Sequence, residues 1–404
     1  MAVSRPVSPR RLTALVSSLI FLDMITWLAA VPLVPVWQKE FGLSDDESGL
    51  ILGIYSFAVL LCAIPAGYLA DRFGARRMTL IGASLFILAA PAIAFADTFW
   101  LLVLVRVVQG ACSAITWSAG LAWLGGAVGD DYRPRGLSIA NATATVGTIA
   151  GPLLGGPIVS HVGLGVAFGV LGGLVGIVVI WALFEPGGER HPVTHHERQG
   201  PFESLRRAAK PGRIQIGFVA IAFVALMMAA LQLLAPLHFD AAGLSSATIG
   251  WIFTVGSAFS VLSILVVARL GRRLNQTRAL VVLPIICGGL VMLMMIPLGI
   301  PWYGFLLIAA MCLASPIFTI SYAACADGAR DEQIGEGGVF GMLNAVWAVG
   351  SLLAPIIAGF ISQQGPSWVM YALVGVLSVL VMFVLRRSEA VVTAASRAGY
   401  DPLQ

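Results

Sequence analysis

Two charged residues, Asp23 and Arg106, interrupt long apolar stretches of the sequence. If those stretches are membrane-crossing helices, Asp23 lies about 18 Å along the axis from Arg11 at one face, and Arg106 about 9 Å from Trp100 at the other. In an apolar layer of about 30 Å the two depths nearly coincide, so the residues can lie side by side. A charge there costs roughly 2.5–3.5 kcal/mol and therefore indicates a function.

A carboxylate at that depth can gain and lose a proton. We interpret Asp23 as a proton acceptor and as the recognition point for a cationic or polar substrate, with Arg106 as its electrostatic partner. If a proton and a substrate compete for one carboxylate, their exchange across the membrane follows from thermodynamic linkage. The alternative is a structural pair in which Asp23 never titrates.

The sequence gives little support to other chemistry. Its five cysteines lie in apolar runs without metal-ligand spacing, and we interpret them as packing residues. His191, His195 and His196 share one polar segment, but nothing nearby supplies further ligands, so we predict no metal site and no cofactor beyond a proton gradient. An intramembrane enzyme would need paired acids, a His cluster or a Ser/His set at membrane depth. We therefore predict that the protein is not an enzyme.

Composition identifies the elements that must hold the two charges. Of the 404 residues 58% are hydrophobic and 11% are charged, and mean hydropathy is +0.92, whereas soluble domains carry roughly 25% charge. Twelve spans of roughly 20 residues would use almost the whole chain. We predict transmembrane helices at 11–37, 48–70, 78–96, 99–124, 136–160, 164–184, 214–238, 247–268, 279–299, 302–326, 338–362 and 367–385.

The basic residues set the predicted orientation. With the N-terminus in the cytoplasm, Lys39 is the only one of the 24 Lys and Arg residues in an outer loop, and Arg106 lies within a helix. The others fall on the inner side, as the positive-inside rule requires. We predict a multi-pass protein of a bacterial-type inner membrane with both termini cytoplasmic. The net charge of +4 then reflects topology and does not indicate nucleic-acid binding.

The two halves of the chain repeat. Pro35 recurs as Pro236 at an offset of 201 residues, and Asn141 recurs as Asn344 at an offset of 203. Such a duplication is typical of transporters in which two bundles move about a central site. We predict an N-terminal six-helix bundle at 1–185, a cytoplasmic linker at 186–212, a C-terminal bundle at 213–388 and a cytoplasmic tail at 389–404.

A motif joins the second and third predicted helices. It reads GYLADRFGARR from Gly67 to Arg77. It resembles the signature G-x-L-A-D-R-x-G-R-K/R of the major facilitator superfamily, with Ala75 where a basic residue is usual. Gly74 permits the tight turn and Gly67 leaves room for a neighbouring helix. A basic loop that serves only topology is the alternative. The resemblance implies a cytoplasmic gate in which Asp71 pairs with an arginine of the loop and with the eleventh helix; the motif residues are Gly67, Asp71, Arg72, Gly74, Arg76 and Arg77.

Two further motifs indicate which branch of the superfamily the sequence resembles. The fourth helix carries L-x-x-x-R-x-x-Q-G around Arg106, with Cys112 replacing a glycine of the family motif. The fifth helix matches g-x-x-x-G-P-x-x-G-G, which is similar to the drug:proton antiporter branch. Its glycines recur every four residues and predict a bare helix face for close packing, whatever the function. The matching positions are Gly147, Gly151, Pro152, Gly155 and Gly156.

The first helix is similar to that of vesicular amine transporters and bacterial multidrug exporters, since Asp23 precedes the run VPLVP. Gln232 and Asn344 stand where the amine transporters carry acids, which argues against monoamine substrates. Polar and aromatic residues could line a central cavity, with helix packing as the alternative for each: Tyr55, Trp117, Asn141, Gln232, Tyr322, Asn344 and Trp347.

The sequence therefore predicts an all-α membrane protein of twelve transmembrane helices in two pseudo-symmetric six-helix bundles. We predict a monomeric, proton-coupled antiporter that exports small amphiphilic or cationic compounds, with the substrate, protons and lipid bilayer as its partners. One alternative is an exporter or symporter of a single metabolite, such as a sugar or amino-acid derivative. Another is a non-transporting receptor.

Overall fold

The computed structural model describes residues 7–129, 131–186, 212–270, 275–331, 336–366 and 368–397. Twelve long helical segments follow one another in these ranges, and eleven of them are long and apolar enough to cross a membrane. They are α1 (Pro9–Phe41), α2 (Asp45–Phe73), α3 (Ala75–Phe95), α4 (Phe99–Ala127), α5 (Arg133–Leu153, continuing to Val162), α6 (Leu164–Phe184), α7 (Arg213–Ala241), α8 (Ser246–Leu270), α9 (Gln276–Leu293), α10 (Ile300–Asp331), α11 (Glu336–Gln364) and α12 (Trp368–Arg397). The all-α architecture predicted from the apolar runs is confirmed.

Two predicted helix ends differ from the structure by six residues or more. The ninth helix was predicted to reach residue 299, but α9 ends at Leu293 and the chain turns before Gly299, whose φ is 96°. Pro297 disfavours helical geometry in the residue before it, which accounts for the early end. The twelfth helix was predicted to end at residue 385, but α12 continues to Arg397. The added stretch contains Ala, Glu and Arg without Gly or Pro, and these residues favour helix.

Proline interrupts α1 beyond the buried acid. The helix is regular from Pro9 to Ala29, tightens into a 3₁₀ turn at Val31–Leu33, and resumes from Val34 to Phe41. Pro32 and Pro35 lack the backbone N–H that a continuous helix needs, so the interruption follows from the sequence. A similar break occurs in α5, where Leu154–Ile158 form a wide π-helical turn after Pro152.

Local signals fix both ends of α2. At its start, Ser44 and the Glu47 carboxylate form a capping box, which satisfies backbone N–H groups of the first turn. At its end, Gly74 adopts φ 98° and separates α2 from α3. This φ lies in the region that favours glycine, so the turn predicted at Gly74 is confirmed.

The helices form two compact units. The first contains α1 to α6 together with the segment Pro236–Thr254, which includes the end of α7 and the start of α8. Here α1 packs mainly on α5, and α2 and α3 pack on α4. The second unit contains the rest of α7 and α8 with α9 to α12, and α9 packs against α10 and α12. The predicted domain limits and the predicted linker role of 186–212 stay predictions; most of that linker lies outside the described residues.

An ion pair joins two equivalent positions of the sequence repeat within the first unit. Lys39, near the end of α1, places its Nζ 2.5 Å from Oδ1 of Asp240, near the end of α7. The positions are 201 residues apart, which is the offset that relates Pro35 to Pro236. The pair links the segment Pro236–Thr254 to α1.

Candidate functional site

Asp23 is buried on α1 and accepts hydrogen bonds from three side chains. Tyr55 Oη donates to Oδ1 at 3.1 Å, while Ser113 Oγ and Trp117 Nε1 each donate to Oδ2 at 2.8 Å. The residue is 1% exposed. Bonds of this kind compensate a carboxylate for the loss of water and hold its position. The donors come from α2 and α4, so Asp23 lies where three helices of the first unit meet.

Arg106 is held on α4 by polar groups from α2 and from its own helix. Its Nε donates to the backbone oxygen of Ile51 at 3.4 Å, and its Nη1 donates to Gln109 Oε1 at 3.1 Å. Gln109 in turn donates to the backbone oxygen of Ala89 on α3 at 2.9 Å. Both Arg106 and Gln109 are 0% exposed. The arginine and glutamine of the helix-four motif therefore join α4 to α2 and α3.

Tyr55 lies between the two charged residues. The Cζ atom of Arg106 lies 4.7 Å from the centroid of the Tyr55 ring, a distance typical of a cation–π interaction. Trp27 stacks on the same ring, at 6.3 Å between centroids. Among the described residues, Arg106 makes no ion pair with Asp23 within 4.0 Å. The two residues belong to one cluster as predicted, but Tyr55 joins them and the direct contact that matched depths suggested is absent.

Three members of this cluster were not predicted as site residues, although Gln109 belongs to the helix-four motif: Trp27, Gln109 and Ser113. A signal was present on α4, because Gln109, Ser113 and Trp117 recur every four residues and such residues share one helix face. Trp27 lies four residues after Asp23 on α1, which places it one turn along the same face. Following the helical period outward from each charged residue would have found all three.

The predicted packing face of α5 is seen in the structure, and it lies on the helix that carries Asp23. A Cβ at Gly147 would lie 2.7 Å from Met24 Cβ, and one at Gly151 would lie 2.7 Å from Leu28 Cβ. At Gly155 it would lie 1.9 Å from the backbone oxygen of Ala29. Such distances exclude any side chain. The Gly147 Cβ would also lie 3.0 Å from the backbone oxygen of Phe21, so the glycine face brings α5 and α1 together on both sides of Asp23.

The end of the α5 motif contacts α8. A Cβ at Gly156 would lie 2.6 Å from the Cα of Gly250, and a Cβ at Gly250 would lie 2.6 Å from the backbone oxygen of Pro152. Both glycines belong to the first unit. This crossing needs glycine on both helices.

The candidate residues of the second unit form a separate aromatic cluster. Tyr322 Oη donates to Asn344 Oδ1, and the Tyr322 and Phe318 rings lie 4.9 Å apart. Phe318 also packs edge-to-face on Trp347 at 5.3 Å. The structure thus brings together Tyr322, Asn344 and Trp347, as members of one predicted set. The Phe318, Tyr322 and Trp347 side chains pack on buried side chains of α7, α10 and α11.

The described contacts of the two clusters do not include two predicted cavity residues, Asn141 and Gln232. Asn141 is exposed on α5, and its Nδ2 donates to the backbone oxygen of Leu137 at 2.9 Å, one turn earlier in the same helix. Gln232 is half-buried on α7. Their assignment to a cavity stays a prediction.

Three of the four charged residues in the loop motif after α2 are exposed. Arg76 is the exception: its Nη2 donates to the backbone oxygens of Ala182 at 3.3 Å and Leu183 at 2.8 Å. These carbonyls end α6, where a cation is favourable. Asp71, Arg72 and Arg77 are exposed. The gate pairing of Asp71, and the packing role of Gly67, stay predictions.

Metal ligation receives no support from the part of the chain that the structure describes. No group of three His, Cys, Asp or Glu side chains there could hold a metal ion. The three histidines considered as a minor alternative, His191, His195 and His196, lie outside the described residues.

The family is shown by sequence comparison. The model of the Major Facilitator Superfamily matches residues 16–338, and the chain belongs to this family of membrane transporters. Its family and fold are those of multi-pass membrane transporters and not those of enzymes. The resemblance found in its motifs is confirmed.

Several relatives carry names that refer to drug resistance. The chain is 33% identical to multidrug resistance protein Stp of Mycobacterium tuberculosis, over 36% of this chain and 27% of that protein. It is 22% identical to multidrug resistance protein 2 of Bacillus subtilis, over 82% of this chain and 84% of that protein. The MFS-type transporter ppzB of Metarhizium rileyi is 28% identical over 39% of this chain, and the match spans only 34% of ppzB.

Solved structures share the fold. A bacterial homologue of the human lysosomal transporter Spinster superposes with a TM-score of 0.72 at 18% identity, covering 96% of this chain and 97% of that one. The nucleoside transporter NupG gives a TM-score of 0.70 at 15% identity, over 93% and 98%. At these identities the likeness defines the fold alone, and it confirms the major facilitator fold.

Proposed function

We propose that the protein is a proton-coupled antiporter that exports small amphiphilic or cationic compounds by alternating access. The observation that carries this proposal is Asp23: a buried carboxylate in mid-helix whose two oxygens are held by three side-chain donors. Acids at this depth are characteristic of proton and ion pathways.

The chemistry of the site follows from its hydrogen bonds. When Asp23 is ionised, all three donors can point at it, and Oδ1 keeps an acceptor position for an ammonium group or another polar donor. When Asp23 is protonated, it becomes a donor itself and loses the charge that attracts a cation. Proton and cationic substrate then exclude each other at one group, and coupled exchange follows from that exclusion.

Two further observations support export of drug-like compounds. The α5 motif is similar to the antiporter branch of the family, and its glycine face abuts the segment of α1 around Asp23. Relatives named for multidrug resistance match this chain from 36% to 82% of its length. Placement in a bacterial-type inner membrane with both termini cytoplasmic, and function as a monomer, belong to the same proposal and rest on the distribution of basic residues.

Asp23→Asn tests the proposal. The purified protein is reconstituted in proteoliposomes, and uptake of a panel of cationic dyes and neutral amphiphiles is driven by an imposed pH gradient. We expect Asp23→Asn to lower gradient-driven uptake by about 100-fold or more, because the amide cannot carry the proton. Asp97→Asn is the matched control, since Asp97 is an exposed acid before α4. Gradient-driven uptake that survives in Asp23→Asn eliminates the mechanism. Response to a single compound of the panel would favour the metabolite exporter instead.

A further inference from the structure

The Tyr55 ring occupies the space through which the two buried charges would otherwise meet. Its hydroxyl donates to Asp23 at 3.1 Å, and its face lies under the Arg106 guanidinium at 4.7 Å. The side chain is 4% exposed. One aromatic residue therefore contacts both an acid and a base that do not contact each other.

The Asp23 and Arg106 side chains carry opposite charges and each has unused hydrogen-bonding capacity, so they could form a direct ion pair. Among the described residues, Nη2 of Arg106 is buried without a hydrogen-bond partner. Oδ1 of Asp23 accepts one described bond, from Tyr55, and a carboxylate oxygen can accept two. Opposite charges attract strongly where little water screens them, and guanidinium and carboxylate match each other in shape. Closure of the pair would satisfy both atoms, so the separation needs a physical cause.

The position of the ring is fixed by its neighbours. Gly110 of α4 lies against the backbone of α2 at Tyr55, because a Cβ there would lie 2.3 Å from the Tyr55 backbone oxygen. Ile51, which accepts a bond from Arg106, precedes Tyr55 by one turn on α2. Trp27 stacks on the ring with an angle of 17° between the planes. The ring is held in place by α1 and α4 while Arg106 is anchored beside it.

We propose that Tyr55 is a positioning residue that keeps Arg106 out of a direct ion pair with Asp23, so that Asp23 stays able to take up a proton. This inference rests on the proposed function. A direct pair would hold the carboxylate in its charged form, because protonation would leave the guanidinium buried without its counter-charge. The aromatic face instead stabilises the cation without a hydrogen bond to the acid. Tyr55 thereby lets a charged partner remain near a group that must change its charge.

The test measures the protonation of Asp23 without relying on transport. Dicyclohexylcarbodiimide reacts with protonated carboxyl groups in apolar surroundings, and mass spectrometry of the full chain in detergent gives the labelled fraction of Asp23 at each pH. We expect Tyr55→Ala to lower labelling by about tenfold or more, since an opposite charge in direct contact favours the ionised form. Tyr55→Phe keeps the ring and removes one donor to the ionised carboxylate, so we expect its labelling to rise by up to about tenfold and not to fall. Phe57→Ala, a change at a 42% exposed residue of the same helix, is the control.

A second change separates charge from structure. In the double variant Tyr55→Ala/Arg106→Gln, no guanidinium remains to pair with Asp23. We therefore expect the labelling of Asp23 to return to at least the wild-type level. If Tyr55→Ala lowered the labelling of Asp23 only by disturbing the structure, the additional removal of the Arg106 guanidinium would not restore it. Size-exclusion chromatography and thermal unfolding check that each variant folds, and Tyr55→Val replaces Tyr55→Ala if the latter does not.

Three results would overturn the inference: wild-type labelling in Tyr55→Ala, a fall in Tyr55→Phe as large as in Tyr55→Ala, or no recovery in the double variant. The proposed function fails separately. If Asp23→Asn keeps gradient-driven uptake, proton coupling through Asp23 is excluded, while the labelling series still reports whether Tyr55 separates the two charges.

Discussion

The polar cluster of the first unit and the aromatic cluster of the second unit are built from different chemistry. Around Asp23, the described hydrogen bonds and the cation–π contact all involve a charged group. Around Tyr322 and Asn344, the contacts are ring packing and one bond between neutral groups. The sequence repeat relates the two halves, so corresponding helices now carry a charged, hydrogen-bonded cluster in one unit and a neutral aromatic cluster in the other. Each prediction below compares the two.

The largest loss of stability is expected from a substitution in the glycine face of α5. At one position of this face, the second half of the chain has alanine in place of glycine. Gly155 corresponds to Ala358 at the offset of 203 residues. Gly155→Ala would place a Cβ 1.9 Å from the backbone oxygen of Ala29, so we expect α5 to separate from α1, a loss of stability of about 3 kcal/mol or more and a loss of transport. Ala358 is fully buried and its Cβ is accommodated. Ala358→Gly should cost only about 1 kcal/mol, from helix propensity. Thermal unfolding in detergent measures both, and equal losses would show that the two faces pack alike.

An intermediate effect is expected at Ser113. Removing its hydroxyl with Ser113→Ala takes one of three donors from a charged acceptor, and we expect gradient-driven uptake to fall by about tenfold. Ser118→Ala is the matched control, because Ser118 lies on the same helix and donates to the backbone oxygen of Ala63. Substrate exchange without a pH gradient should be affected less than gradient-driven uptake. A uniform loss in both assays would argue that Ser113 has only a packing role.

The smallest effect is expected in the second unit. Asn344→Ala removes the acceptor of the Tyr322 hydroxyl, and we expect KM for a recognised substrate to rise by about threefold, as for one neutral hydrogen bond, with proton coupling intact. Thr143→Ala, on the corresponding helix of the first unit, breaks only a bond to its own helix and should leave KM unchanged. Loss of proton coupling in Asn344→Ala would remove the distinction between the two clusters.

The sequence predicted the helices well because their existence depends on local hydrophobicity. Apolar runs located all twelve, and Gly74 marked a turn that the backbone requires. The ends of α9 and α12 were missed because helix termination depends on a few residues whose effects compete. Pro297 shortened one helix, and a run of good helix formers lengthened the other.

The sequence predicted which residues belong to the site better than it predicted how they are arranged. Asp23 and Arg106 could be identified because charges are rare in apolar segments, and their depths follow from helix rise. That Tyr55 separates them depends on the contact of α2 with α4, which Gly110 permits, and on how Arg106 folds back to Ile51 and Gln109. These are properties of three helices packed together, and no spacing within one helix encodes them.

The bond between Lys39 and Asp240 constrains how such a chain could arise. Its partners stand at matching places in the two halves, so an ancestor made of two identical subunits would have brought like charges together there, lysine on lysine or aspartate on aspartate. Only after duplication gave two separate copies could one become basic and the other acidic. This attraction is therefore younger than the duplication, and an identical pair of subunits could not contain it.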